Sequence, residues 1–151
     1  MPGTIPLLVW KEGDRSFGLG LEAVRRVVRV VEWTPFPEMP PGVLGALDYH
    51  GELIPVVSLS RAFGQSAPEL ALSDQLIIAE AGRAVAFTAQ TVPGLLECEE
   101  QDIASTDEVL PQRGVAAVAR GPEGLVLVPD IGALLLPDME ALAGGSLPAE
   151  R

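Results

Sequence analysis

The hydrophobic positions of the chain fall in short runs bounded by turn-forming residues, a pattern that predicts an all-β protein. The clearest pair of runs is GALDYHGELIPVVSL at 45–59, where His50-Gly51 fits a two-residue hairpin loop. One face of this hairpin would carry Leu47, Ile54 and Val56, and the other Leu44, Leu53 and Val57. Because both faces are apolar, either both lie inside the fold or one is kept for a partner.

The same pattern predicts strands at 6–11, 16–20, 43–49, 52–57, 75–80, 84–88, 95–99, 114–119 and 125–128. Leu21–Val31 has apolar residues at helical spacing and is the best helix candidate, although its valines are weak helix formers. Four prolines predict irregular structure at 33–42, and the tail at 141–151 is expected to fray.

The two halves of the chain resemble each other. Residues 7–28 align with 76–96, and LIPVVSLSRAF at 53–63 aligns with LVLVPDIGALL at 125–135. Turns follow in the same order in both halves, which favours duplication over chance matching in a chain rich in Leu and Val. We therefore expect one domain, 4–140, made of two intertwined barrel-like subdomains with approximate repeats 7–63 and 76–135.

The charge of the chain excludes some partners. Its formal net charge is -11, and Lys11 is the one lysine among ten basic residues. Such a field repels phosphate backbones and anionic lipid, so neither nucleic acid nor a membrane surface is an expected partner. The most apolar stretch, GLVLVPDIGALLLP at 124–137, is interrupted by Pro129 and Asp130 and falls short of the ~20 residues that a membrane span needs. A lone cysteine and the absence of a leader at MPGTIPLLVW predict a cytoplasmic protein.

Motifs for catalysis are weak. GLGLEA at 18–23 fits a dinucleotide pattern, but a proline-rich segment follows where that fold needs a parallel strand. One histidine and one cysteine cannot make a tetrahedral metal site. A nucleophile–base pair of Cys98 with His50 lacks a supporting motif, so a buried thiol and a turn histidine are expected. We expect no catalytic residue, no metal and no cofactor, and a small-ligand enzyme is the least favoured alternative.

The hairpin resembles the pattern G-x-x-N-x-R-G-x-x-x-P-x-x-D-L of the CheW family, adaptors that couple chemoreceptors to the chemotaxis histidine kinase. Gly45, Gly51, Pro55 and Leu59 match it. Further similar stretches are FGLGLEAV at 17–24, DQLIIAEAGRAVAF at 74–87 and RGVAAVARGPEGLVLVPDIGALL at 113–135, so the resemblance covers about 7–136. It implies two SH3-like five-stranded β-barrels with short helices, and no enzymatic activity.

The resemblance also implies partners. An apolar groove between the barrels would receive the signalling tip of a methyl-accepting chemoreceptor, and the barrel ends would meet the regulatory domain of a CheA-type histidine kinase, in receptor arrays of the cytoplasm. The candidate groove residues are Val24, Arg26, Val27, Leu44, His50 and Val57. The candidate kinase-contact residues are Val115, Ala117, Leu125 and Leu127. Spacing alone allows the two groove valines, one helical turn apart, to be ordinary core residues instead.

The chain departs from the family pattern at several positions. Arg26 stands where the family has glutamate, His50 where it has arginine, Asp48 where it has asparagine, and Ser58 where it has aspartate. Complementary charges mainly set partner choice, so these changes predict a different partner or a lost contact. The segment at 104–112 is also shorter than usual. Two hypotheses stay open: a coupling adaptor, or a divergent regulator that binds receptor or kinase without coupling them, as an input-specific adaptor or a competitor.

Overall fold

The computed structural model describes residues 3–29, 33–35, 42–64, 74–80, 82–105 and 115–131. The strands in these ranges are β1 (Thr4–Glu12), β2 (Arg15–Gly20), β3 (Val24–Arg29), β4 (Thr34–Pro35), β5 (Val43–Tyr49), β6 (Glu52–Val57), β7 (Gln75–Glu80), β8 (Ala84–Ala89), β9 (Thr91–Glu99), β10 (Ile103–Ser105), β11 (Val115–Gly121) and β12 (Gly124–Pro129). Helix α1 is Leu59–Ala62, and 3₁₀ turns lie at Leu21–Ala23 and Glu100–Asp102. Within the described ranges, no helix is long and apolar enough to cross a membrane.

The strands form two sheets of corresponding order. Sheet A runs β10-β11-β12-β2-β1-β9, and sheet B runs β4-β5-β6-β8-β7-β3. Each sheet joins a hairpin from one half of the chain to strands from the other half, with β12 parallel to β2 and β6 parallel to β8. The predicted all-β class is confirmed. Among the described residues each sheet has six strands rather than five, because the short β4 and β10 pair at one end.

The strands β1–β6 and β7–β12 thus take corresponding places in the two sheets. This order supports the proposed repeat, whose common origin stays a prediction. The last repeat residues, 132–135, and the predicted frayed tail at 141–151 lie outside the described residues.

In the described part of the chain, three buried clusters hold the sheets together. The largest, which we call the seam, lies between the sheets because it takes side chains from both of them. A second cluster belongs to sheet B and a third to sheet A. The seam contains Leu8, Trp10, Phe17, Leu19, Val57, Leu59, Ile77, Ala79, Val85, Phe87, Ala89 and Ile131. Because the seam is shared, neither sheet can bury its inner face without the other.

This layering explains why several strands are apolar on both faces. In β7, Ile77 and Ala79 face the seam, whereas Leu76 and Ile78 enter the sheet B cluster. The sequence showed the same two-faced pattern in the β5–β6 hairpin, and its predicted pairing of Leu47 with Ile54 is confirmed. A strand between two clusters reads as a continuous apolar run.

The predicted helix at Leu21–Val31 is wrong. Only Leu21–Ala23 form a 3₁₀ turn, and β3 then pairs antiparallel with β7, while residues 30 and 31 lie outside the described part of the chain. The register shifts between Val24 and Arg26, so one extra residue is inserted there. This bulge turns Val24 and Val27 to the same face although they are three positions apart, which imitates helical spacing in the sequence.

The glycines of the dinucleotide-like pattern lie inside β2, not in a loop before a long helix. A Cβ atom on Gly18 would approach Val126 Cγ1 to 2.8 Å. Gly18 therefore lets β12 pack closely beside β2. Gly18 serves packing. A phosphate-binding loop would need these glycines between a strand and a long helix, and they are not placed there.

Candidate functional site

The edge strand β3 carries the first two groove candidates. Val24 lies opposite Ala79 and Val27 opposite Ile77, so both face the seam. Both side chains are half-buried, because β3 lies at the end of sheet B. The interior of the seam is filled by the chain's own side chains, and these valines lie at its rim. A partner would therefore meet a shallow apolar rim at this point.

Two other groove candidates need correction. Val57 is only 2% exposed and belongs to the seam, so its side chain cannot line a surface. Leu44 packs against the sheet B cluster, not on the face of Val57 as predicted. The reason is a register shift between Val43 and Gly45, which leaves Leu44 as the inserted residue and pairs Val43 with Val57.

His50 occupies the tip of the β5–β6 hairpin. Its φ is 54° and that of Gly51 is 87°, as a primed two-residue turn requires. The Gly51 amide donates a hydrogen bond to Asp48 Oδ1 at 2.9 Å, and the His50 ring lies edge-on to Tyr49 at 4.3 Å between centroids. The backbone of His50 thus supplies the left-handed conformation of the turn, while its imidazole is exposed and open to a partner.

Ser58, where the family has aspartate, belongs to a buried polar cluster. Its hydroxyl donates to both carboxylate oxygens of Glu12 at 3.0 Å and accepts the Arg61 amide at 3.3 Å as the N-cap of α1. Glu12 is 3% exposed and also accepts the Ser60 amide at 3.0 Å and the Thr88 hydroxyl. We call these four side chains with their bonds the Glu12 latch: Glu12, Ser58, Ser60 and Thr88. It joins β1 of sheet A to β8 and the β6–α1 segment of sheet B.

The sequence interpretation missed Glu12. A signal was present, because Leu8, Trp10 and Glu12 follow the alternation of one strand face, and the first two enter the seam. A carboxylate at the next inward position predicts buried hydrogen-bond donors around it. The hydroxyl at position 58, where the family pattern has aspartate, thus serves as a hydrogen-bond donor to the buried carboxylate of Glu12.

The four kinase-contact candidates lie on the β11–β12 hairpin of sheet A. Leu125 is 62% exposed, whereas Val115 is buried and so cannot contact a partner. Ala117 is half-buried, and Leu127 packs at the seam opposite Phe17. Of these four candidates, Leu125 alone offers a large apolar side chain to solvent. Its counterpart in the sequence repeat, Leu53, is 54% exposed on β6. The sequence placed Leu53 on an apolar face of the hairpin but did not include it among the contact candidates.

A surface pocket of about 120 Å³ lies beside the same hairpin, not at the seam. Its walls come from β1, β9 and the β11–β12 turn, with Leu95, Leu96 and Val126 among the lining residues. Lys11 also lines the pocket and forms a salt bridge with Glu123 of the turn.

The corresponding hairpin of sheet B is tied down differently. Arg25 of β3 contacts Glu52 at 3.2 Å and Glu80 at 3.5 Å. Arg26, a groove candidate, is exposed on the same strand. The edge of β3 therefore combines half-buried valines with exposed arginines.

Chemistry between Cys98 and His50 is not supported. Cys98 is 3% exposed inside the sheet A cluster, whereas His50 is exposed at a turn of sheet B. Burial raises the pKa of the Cys98 thiol, and the carboxylate of Asp102 raises it further. A thiol in these surroundings is less nucleophilic than an exposed one. No cluster of metal-ligating side chains occurs among the described residues.

These features define a class of protein: two facing β-sheets whose polar groups serve the fold and whose apolar rim and hairpins are open to other proteins. The CheW-like domain matches residues 6–137, and the chain therefore belongs to the CheW-like family of scaffold and adaptor proteins.

Relatives and solved structures agree with this assignment. The chain is 29% identical over 119 residues to a chemotaxis protein CheW of Rhizobium meliloti, covering 74% of this chain and 77% of that protein. It is 30% identical over 95 residues to protein FrzA of Myxococcus xanthus, covering 62% of this chain and 59% of FrzA. The crystal structure of the scaffolding protein TtCheW from Thermoanaerobacter tengcongensis superposes with a TM-score of 0.77 at 22% identity, over 92% of this chain and 96% of that one. This likeness confirms the fold of two SH3-like barrels.

Proposed function

We propose that this protein is a non-enzymatic adaptor that couples a methyl-accepting chemoreceptor to a CheA-type histidine kinase in the receptor arrays of the cytoplasm. The observation that carries the proposal is the apolar rim of β3, where Val24 and Val27 are half-buried against the seam and keep part of their surface open. Membership of the CheW-like family supports the same assignment.

The receptor would pack against the rim with one of its helices lying along β3. Two valine side chains on one strand face form a flat apolar strip, against which the ridge of a receptor helix can pack. Burying the exposed part of each valine contributes less than the roughly 1.5–3 kcal/mol of a fully buried aliphatic side chain. Such a contact is modest by itself, so neighbouring groups of β3 must add affinity or selectivity.

The kinase would contact the β11–β12 hairpin of sheet A. Leu125 supplies an exposed aliphatic side chain there, and Leu95 is exposed beside the neighbouring pocket. Exposed leucines next to an apolar pocket are typical of a protein contact site. Placing the two partners on different sheets would let one protein bind both at once.

The receptor contact is tested by recovery of the chain on an immobilised receptor signalling tip from the source organism. Val27→Asp should abolish recovery, because it places a carboxylate on the apolar strip. The matched control is Val92→Asp, since Val92 is also half-buried at the seam but lies on β9 of sheet A. Because either change can destabilise the fold, Val27→Ser is included and each variant is checked by circular dichroism. Equal recovery of folded wild type, Val27→Asp and Val27→Ser contradicts the proposed contact.

A second candidate function is a regulator that binds receptor or kinase without coupling them. Arg26 and His50 favour it, because both are exposed where the family pattern carries other residues. Reconstituted kinase activity separates the two functions. Receptor-dependent stimulation of the kinase by this protein contradicts the competitor, and inhibition in the presence of a cognate coupling protein contradicts the adaptor.

A further inference from the structure

We propose that the edge of β3 recognises an acidic segment of the bound partner through Arg26 and Arg29. The proposal rests on the proposed function, in which the rim of β3 is the receptor-facing surface. Three of the ten basic residues of the chain lie within five positions of this one strand, in a protein of net charge -11. All three arginines are exposed.

The first arginine is already neutralised. Arg25 contacts Glu52 and Glu80, which fixes it toward the tip of the β5–β6 hairpin and the end of β7. In contrast, neither Arg26 nor Arg29 forms a salt bridge with another described residue. Glu52 and Glu80 are thus paired with Arg25, and the positive charge of the other two arginines is available to a partner.

The pairing of β3 fixes the directions of these side chains. Arg26 lies opposite Ile78 and Arg29 opposite Gln75, so the two arginines leave opposite faces of the strand. Arg29 shares the seam face with Val27, about 7 Å along the strand. A partner that packs along this edge therefore meets an apolar strip with one guanidinium on each side.

The surrounding charge favours an acidic protein over other occupants. Guanidinium groups bind carboxylates with two parallel hydrogen bonds. A field of -11 repels an acidic partner from most of the surface, so the arginines of β3 would orient it toward the rim. The same field and the adjoining valines disfavour a nucleic acid, whose binding needs a broad basic surface. A second copy of this chain is the competing occupant, because β9 presents exposed Glu97 and Glu99.

The experiment compares four proteins, namely wild type, Arg26→Glu, Arg29→Glu and the double variant. For each one, the dissociation constant of its complex with the same receptor signalling tip is measured. Exposed ion pairs are individually weak, but two reversals also introduce repulsion, so the double variant should bind about tenfold more weakly near 0.05 M salt. This ratio should shrink at about 0.5 M salt, where exposed charges are screened. Arg61→Glu is the matched control, an exposed arginine on α1, and should bind like wild type.

Charge reversal on the partner completes the test. Replacing an acidic residue of the receptor tip by arginine should restore binding to the double variant and weaken binding to wild type. Equal affinity of wild type and double variant, while Val27→Asp abolishes binding, overturns this inference and leaves the proposed function standing. Equal recovery of wild type and Val27→Asp overturns the proposed function itself. Sedimentation of the protein alone tests for the competing occupant, a second copy of this chain. If wild type associates as its concentration rises and Arg26→Glu does not, the proposal is overturned in favour of self-association.

Discussion

Sheets A and B share one strand order but differ in the charge of their end strands. At the end of sheet B, β3 presents exposed arginines, whereas β9 at the corresponding end of sheet A presents exposed glutamates. Both strands also bring half-buried valines to the seam, Val24 and Val27 from β3 and Val92 from β9. The comparison teaches that packing in the shared interior requires apolar residues on both end strands, whereas their solvent-facing positions can carry opposite charges and so suit different partners.

The hairpin tips show the same division. In sheet A, Lys11 of β1 reaches across to Glu123 of the β11–β12 turn, beside the pocket. In sheet B, Arg25 of β3 holds Glu52 at the β5–β6 hairpin together with Glu80. Both contacts join a hairpin tip to a strand of the same sheet that is not its direct neighbour, but the basic residue comes from an interior strand in sheet A and from the edge strand in sheet B.

The largest effect is expected from the seam, because it belongs to both sheets. Phe87 stacks on Trp10 with 5.6 Å between ring centroids. Phe87→Ala should lower the free energy of unfolding by about 3–5 kcal/mol. Urea unfolding followed by far-ultraviolet circular dichroism and by tryptophan fluorescence should still show one coincident transition.

The control for this experiment is Leu125→Ala, which removes a large apolar side chain from the surface and should change stability by less than about 0.5 kcal/mol. Two separate transitions in the Phe87 variant would show that the sheets fold independently, against a shared core.

The next effect concerns the Glu12 latch, which crosses from sheet A to sheet B. Ser58→Asp restores the family residue, yet it should destabilise this protein by about 3 kcal/mol, because a second buried carboxyl group replaces the hydroxyl donor. The double variant with Glu12→Gln should recover part of the loss, measured as the coupling energy of a double-mutant cycle. Additive effects of the two substitutions would show that their side chains do not interact.

Cys98 should report on sheet A alone. Burial and the Asp102 carboxylate raise the pKa of its thiol above the usual value of a cysteine. The thiol's contribution to stability is therefore fully present below the unfolded-state pKa and is lost as the pH rises through the folded-state pKa. Alkylation of this single cysteine, followed against pH, should have its midpoint above that of the urea-unfolded chain.

Asp102→Asn should move this midpoint to lower pH, because it removes a nearby negative charge. Asp14→Asn, at the β1–β2 turn, is the control and should leave it unchanged. A folded-state midpoint at or below the unfolded one would contradict the buried position of the thiol.

The smallest effect is expected at the Lys11–Glu123 contact. Its hydrogen bond and the charge of Lys11 lower the pKa of the Glu123 carboxyl. Lys11→Met should raise that pKa toward its usual value, as measured by NMR titration of the side-chain carboxyl carbon, with little change in the unfolding midpoint. An unchanged Glu123 titration would mean that the contact is absent in solution.

Some of these elements could be predicted because their signals are local. The β5–β6 hairpin has the predicted bounds, and its predicted pairing holds from the turn as far as Leu47 and Ile54, since a two-residue turn fixes the register of the residues beside it. The register shift at Leu44 was not predicted. The helix prediction at Leu21–Val31 failed because a local spacing pattern was produced by a contact with a distant strand. A bulge beside Arg25 reproduces helical spacing, and only pairing with β7 shows that the segment is a strand.

The candidate site was predictable to a lesser degree. Val24 and Val27 were named from a family resemblance, and the structure places both at the rim. Val57 was placed on an apolar face of the hairpin by its alternating pattern but is interior, because β6 lies between the seam and the sheet B cluster. Whether an apolar residue faces solvent or another sheet depends on contacts with distant strands, which periodicity alone does not report.

By itself, the sequence determined most of the strands, the order of the turns, the two-faced character of the central hairpin and the family, since each depends on neighbouring residues or on a motif; it missed β3, β4 and β10. Only the tertiary structure decided which faces are buried, that β1 and β2 pair with strands of the other half, and that Glu12 bonds to Ser58 across the two sheets. The physical reason is that these properties arise from contacts between residues far apart in the chain. Their free energy depends on the packing of both sheets together.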